Sequence, residues 1–235
     1  MFLQTPALTG QVPVSASDGS IQAELFAWVD AWTCADARLD ALVLAPEAFS
    51  TPQAEASEPV AGAIARLARL AQNVGGVLAI RNPSTALGAD RVALAQGVRL
   101  FGIGCAQDEA CWDAALSAGL PVYGVRDQLR IDVSQARRRD AGAVLLSLAY
   151  GLFTCGDGLQ PEQLVEDRGG VAWRFAETVA TAVMVKGGFE ADRINADHGS
   201  WRDRGSEGYV RLVAEAGERR CWTQPRLVMP GATHG

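Results

Sequence analysis

Two histidines, five cysteines, 27 acidic and 21 basic side chains make up the reactive inventory of this 235-residue chain. His198 and His234 are too few for any metal site built on an imidazole cluster. The cysteines (Cys34, Cys105, Cys111, Cys155, Cys221) are odd in number and include no CxxC pair, so neither a disulfide framework nor a cysteine zinc site is expected. A thiol nucleophile needs a base beside it; with imidazole so scarce, Cys105, Cys111 and Cys155 read as buried or incidental. Ser15 and Ser84 lie outside any GxSxG elbow, and no hydrolase triad can be assembled. The glycines of GGVLAI and FGIGC do not open a helix as GxGxxG, which leaves a dinucleotide fold without support. His198, in ADHGSW, reads as a surface or packed residue, and the six tryptophans as core packing. Carboxylates and guanidiniums remain as the groups able to hold a ligand.

The elements that must position them follow from composition and periodicity. At 49% hydrophobic and 20% charged residues, the chain has globular composition and length for one large domain or two modest ones. A net charge of -6 offers no basic excess for a phosphate backbone, so nucleic-acid binding is not expected. No apolar run approaches membrane-spanning length and the N-terminus lacks a signal-like pattern, so a cytoplasmic protein without membrane contact is expected. The first two thirds alternate strands and helices. Strands are predicted at Val12–Ser15, Leu39–Leu44, Val77–Ile80, Val98–Ile103 and Pro121–Val125. Helices are predicted from Ile21, over Val60–Gln72, Ala89–Gln96 and Glu109–Ser117. From Val171 the runs VAWRF, VATAVMVK, GYVRLVAEA and RRCWTQPRLV read as an all-β module.

Several segments, in order, resemble the PHP (polymerase and histidinol phosphatase) metal-dependent phosphoesterases, within their CehA-like branch. VPVSASDGSIQAEL is similar to the family's opening strand and turn, LDALVLAPEAF to its second strand, and GGVLAIRNPS to a strand ending in Asn-His-Pro. WDAALSAGLPVYGV followed by RDQLR resembles the helix and strand before an Asp-x-His loop. LLSLAYGLFTCGDG and RDRGSEGYVRLVAEAGERRCWTQPRLV resemble the elements after the barrel. The resemblance implies an α/β fold: a small, distorted PHP-type (β/α) barrel, TIM-like, over 1–155, with a C-terminal all-β module over 156–235. A barrel of that length is short, so an open seam is expected, with a homodimer or an operon-encoded partner covering it.

The resemblance also implies a degenerate site. Where the family has metal-ligand histidines, this chain has Pro13, Ser15, Glu47 and Asn82, and its terminal loop keeps Asp127 but no histidine. With Asp18, these residues form a vestigial pocket able to hold at most one loosely bound divalent ion, so no cofactor is expected. Arg81, Arg126 and Arg130 stand near the aligned strand ends, and guanidiniums bind phosphate or carboxylate by paired hydrogen bonds. A metal-free anion pocket at the C-terminal ends of the barrel strands is therefore expected, taking a small anionic or phosphorylated ligand. The plainer alternative pairs these arginines with Asp127, Asp132 and nearby acids on a solvated face. At the level of function, an inactive anion-binding or scaffold module stands against a phosphoesterase with a rebuilt single-metal or metal-free site.

Overall fold

The computed structural model describes residues 8–15, 22–50, 52–53, 55, 57–126, 128–131, 140–167 and 169–228. The chain divides into two compact units, Met1–Val125 with Ile131–Leu152, and Arg126–Arg130 with Phe153–Gly235.

In the first unit β1 (Leu8–Ser15), β2 (Gln22–Thr33) and β3 (Arg38–Ala45) form an antiparallel meander. α1 (Val60–Asn73) leads to β4 (Val77–Ile80), which pairs antiparallel with β3. α2 (Pro83–Ala86) and a 3-10 turn at Val92–Leu94 lead to β5 (Leu100–Gly102); α3 (Ala106–Ser117) leads to β6 (Tyr123–Val125). β4, β5 and β6 are mutually parallel, and the six strands lie in sequence order. This corrects the expected (β/α) barrel. A TIM-like barrel requires every strand to run the same way with a helix between each pair. Here the first three strands pair antiparallel, and only the β4–β6 portion has α/β connectivity. Among the described residues fourteen strands stand against four α-helices, so the molecule is mostly β.

Two helices of the sequence reading are corrected with it. The helix predicted from Ile21 is strand β2, in which Leu25, Ala27, Trp28, Val29 and Trp32 are buried. Trp28 and Trp32 sit four residues apart, a spacing that suits a helix face equally well. On this strand they share one side and meet edge to face at 5.4 Å. The helix predicted at Ala89–Gln96 shrinks to the three-residue 3-10 turn. α1 follows its periodicity, burying Val60, Ala63, Ile64, Leu67 and Ala71 on one stripe. Its first turn has no side-chain cap of its own; Asp36 reaches across and accepts from the Val60 N–H at 2.8 Å. α4 (Ala141–Tyr150) is capped by Asp140 at its start and by Gly151 at its end. Gly151 has φ 70, and a Cβ there would lie 2.4 Å from the Tyr123 ring, so only glycine fits.

The second unit is built on an eight-stranded sheet in the order β11-β10-β12-β13-β8-β7. Its strands are β7 (Gln128–Ile131), β8 (Phe153–Gly156), β9 (Gln163–Asp167), β10 (Gly170–Val185), β11 (Phe189–Arg202), β12 (Tyr209–Ala216), β13 (Arg219–Thr223) and β14 (Arg226–Leu227). β9 adds to β10 and β14 to β12. Its core joins Trp173, Phe175, Val183, Trp201, Leu212 and their neighbours. Trp173 sits against Gly199 of the paired strand, where a Cβ would come within 2.4 Å of the ring.

Candidate functional site

α1 carries two arginines and no acid in its fourteen residues. Arg66 turns back to Glu58, which it meets at 2.5 Å, and stacks over Trp32 at 4.7 Å. Arg69, one turn on, has no acidic partner among the described residues. Its Nε reaches only the Ala65 carbonyl at 3.4 Å, long for a hydrogen bond, so the outer fork of the guanidinium is open. Around it lies a half-open groove of about 810 Å³. α1 contributes Ala65, Ala68, Arg69, Ala71 and Gln72; the entry to β4 contributes Gly76 and Leu78. The turn into β5 adds Gln96, Gly97 and Arg99, and α4 adds Ala149.

Arg99 is placed by the sheet. Its backbone N–H donates to the Leu78 carbonyl at 3.0 Å, and its carbonyl accepts from the Tyr123 N–H at 2.8 Å. The residue is thus fixed between β4 and β6, with its half-buried side chain at the groove and no carboxylate partner among the described residues. Burial pushes the Tyr123 phenol above its ordinary pKa, and the nearby Arg99 charge opposes that rise. The groove therefore has a floor of small apolar side chains, a rim of two guanidiniums and two carboxamides, and no acid in its lining. It sits where β4 and β5 begin.

The ends of β4 and β5 are different. Asp108, 6% exposed in the first turn of α3, accepts four hydrogen bonds. Oδ1 takes the Ser84 N–H at 3.1 Å and the Ser84 hydroxyl at 2.5 Å; Oδ2 takes the Gly104 N–H at 3.1 Å and the Cys105 thiol at 3.3 Å. This carboxylate ties the loop after β4 to the loop after β5 and has its acceptor capacity filled.

Among the described residues of the first unit, those singled out from the sequence fall at two edges of the sheet. Because β3 runs against β4, with Leu44 opposite Val77 and Ala41 opposite Ile80, Glu47 follows the end of β3 at the edge where β4 begins. Ser15, opposite Gln22, ends β1 at that same edge, two residues beyond Pro13. Asn82 lies at the other edge and works as a clip: its Oδ1 accepts from the Asp40 N–H at 2.9 Å and its Nδ2 donates to the Arg38 carbonyl at 3.2 Å. Asp18 and Asp127 fall outside the described residues. Arg81 belongs to the first unit, where its N–H donates to the Asp40 carbonyl at 2.8 Å, whereas Arg126 and Arg130 belong to the second. Arg126 pairs with Asp157 at 2.7 Å and stacks over Trp222 at 5.3 Å; Arg130 donates to the Pro161 carbonyl. Arg126 and Arg130 thus each spend hydrogen bonds on protein partners within their own unit.

No cysteine or histidine is among the described residues that line the groove. Burial pushes the Cys111 and Cys221 thiols up to about 12, and Cys155 is raised as well. Cys155 faces Trp222 across the β8–β13 pair, so it and Cys221 project from opposite faces. His198 lies exposed on β11 with Nδ1 2.7 Å from Asp197. No group of three or more His, Cys, Asp or Glu residues gathers as a metal site among the described residues. No helix among them is long and apolar enough to cross a membrane.

No family model, curated protein or solved structure matches this chain. The likeness to PHP phosphoesterases rests on the short segments quoted above, and the site has to be read from its own geometry. Arg69 and Arg99 were missed by sequence reasoning because they lie thirty residues apart on elements read only for their apolar faces. A signal was present: Arg69 has no acid three or four residues away on its helix, where a solvated arginine often finds one.

Proposed function

We propose that the chain is a binding module for a small organic anion, held in the groove of the first unit by Arg69 and Arg99. The observation that carries this reading is the presence of two guanidiniums that have no carboxylate partner among the described residues, on the rim of one groove whose described lining holds no acid, in a chain of net charge -6. In such a chain an arginine readily finds an internal acid, as Arg66, Arg91 and Arg126 do. The groove has the size of a small-molecule site, and guanidinium forks suit carboxylate or phosphate oxygens. The single-metal form of the hydrolase alternative would bring Glu47 and Asn82, with Asp18 and Asp127, around one ion, and Glu47 and Asn82 lie at opposite edges of the sheet.

A thermal-shift titration with a panel of carboxylates and phosphates tests the reading. A ligand at one hundred times its dissociation constant stabilises the folded state by about 2.7 kcal/mol, enough for a clear rise in Tm. Arg99→Ala removes a charge-assisted contact and is expected to weaken binding about tenfold to a hundredfold while leaving the unliganded Tm nearly unchanged. A panel without any shift at millimolar ligand, or a shift that survives loss of both arginines, refutes it.

A further inference from the structure

Resting on that anion reading, we infer that the groove selects an amphiphilic carboxylate, with one anionic head on an unbranched aliphatic body. The lining decides the body. Apart from Arg69, Arg99, Gln72 and Gln96, every side chain in it is alanine, leucine or no side chain at all. There is no aromatic ring on which a nucleobase or aromatic acid could stack. There is no serine, threonine, tyrosine or acid to meet sugar hydroxyls, and unpaired hydroxyls in a partly desolvated groove are costly. An alkyl chain has no such needs and gains from covering Ala65, Ala68 and Ala149, which the groove leaves exposed or half-exposed.

The head follows from charge. A guanidinium presents a planar fork that matches the two oxygens of a carboxylate, and the carboxamides of Gln72 and Gln96 add neutral donors beside it. Alanine and glycine in place of larger side chains keep the trough open, and Gly97 already lies so close to Ala68 that a Cβ there would come within 2.8 Å. Free acids and acyl-lipid surfaces share this chemistry; the proposal commits to the free, monomeric acid.

Calorimetric titration of the full chain with octanoate below its micellar range, butanoate and inorganic phosphate is the test. Full burial gains about fourfold in affinity per methylene, so with a half-open groove octanoate is expected to bind at least about tenfold more tightly than butanoate, and more tightly than phosphate. Ala149→Leu fills the trough from α4 and should weaken octanoate severalfold while leaving butanoate within about twofold. If that variant fails to fold, Ala65→Leu on the exposed side of α1 serves the same purpose. Equal affinity for octanoate and butanoate, with both lost in Arg99→Ala, overturns the aliphatic body and leaves the anion site standing. Phosphate as the tightest ligand, or binding to anionic phosphatidylglycerol vesicles with none to monomeric octanoate, also overturns the proposal. Absence of binding by all three soluble probes, with the wider anion panel equally silent, removes both readings.

Discussion

The two edges of the first unit's sheet answer the same problem in opposite ways. Where β4 and β5 end, polar groups are knitted to one another: Asp108 takes four donors, Asn82 clips β3, and Arg91 pairs with Asp36 at 2.8 Å. Where the same strands begin, alanines open a groove and two arginines face it without a carboxylate among the described residues. In open α/β sheets ligands gather at the carboxyl ends of parallel strands. This chain closes that edge with structural hydrogen bonds and opens the other. A rule about where such folds bind therefore works only as far as the local side chains leave polar capacity unused.

The largest expected effect separates the two edges. Asp108→Ala removes the carboxylate that takes four donors, among them the half-buried Ser84 N–H, and is expected to cost about 2–3 kcal/mol, read as a lower urea midpoint at unchanged slope. Anion affinity of the folded variant should stay within about twofold of the parent. A variant of full stability that no longer binds would move the site to the β4–β5 carboxyl ends and dissolve the contrast.

A smaller effect links fold and groove at one edge. Gly151→Ala forces a side chain into a left-handed conformation and against the Tyr123 ring, with an expected loss of about 1–3 kcal/mol. Since α4 carries Ala149 into the groove just before that turn, ligand affinity should fall as well, by severalfold. Loss of stability with no change in affinity would show that α4 lines the groove without shaping it.

The smallest effect is one of pH. The Val60 N–H, and then Arg91, hold the Asp36 carboxyl below the ordinary aspartate value of 3.8. A lowered carboxyl pKa contributes stability above its unfolded value and loses it as pH falls through the folded one. Asp36→Asn should therefore have a lower Tm than the parent near neutrality, with the gap closing below about pH 4. A gap that is constant with pH would mean that the capping charge plays no part.

Much of the secondary structure was legible. β3, α1 and β4 follow directly from short apolar runs or a one-sided apolar stripe bounded by Gly and Pro, and α3 reads three residues short at its start, its apolar residues forming no stripe. β2 was not, because the nearly continuous apolar run of LFAWV, with Trp28 and Trp32 four apart, fits both periods, and Ser17-Asp18-Gly19 looks like a helix start. Its Phe26, Trp28, Val29, Trp32 and Thr33 are the strand-forming types that could have tipped the balance. That one misreading carried the barrel with it, since turning a helix into a strand makes β1, β2 and β3 neighbours that pair antiparallel. Strand direction in turn decided the site. Glu47 and Asn82 share a pocket only if β3 and β4 run alike, and no residue within either strand announces its direction. The groove was illegible for another reason: small side chains mark space only when the walls around them are known.

The meander at the start of the first unit bears on how the chain acquires its structure. β1, β2 and β3 pair with their immediate successors in sequence, so little loop entropy is lost in closing them, and their register can form before the crossovers exist. β4, β5 and β6 must each wait for an intervening helical connection. During synthesis, the first hairpins can zip as they emerge and offer β3 as a ready template on which the later, parallel strands are laid one at a time.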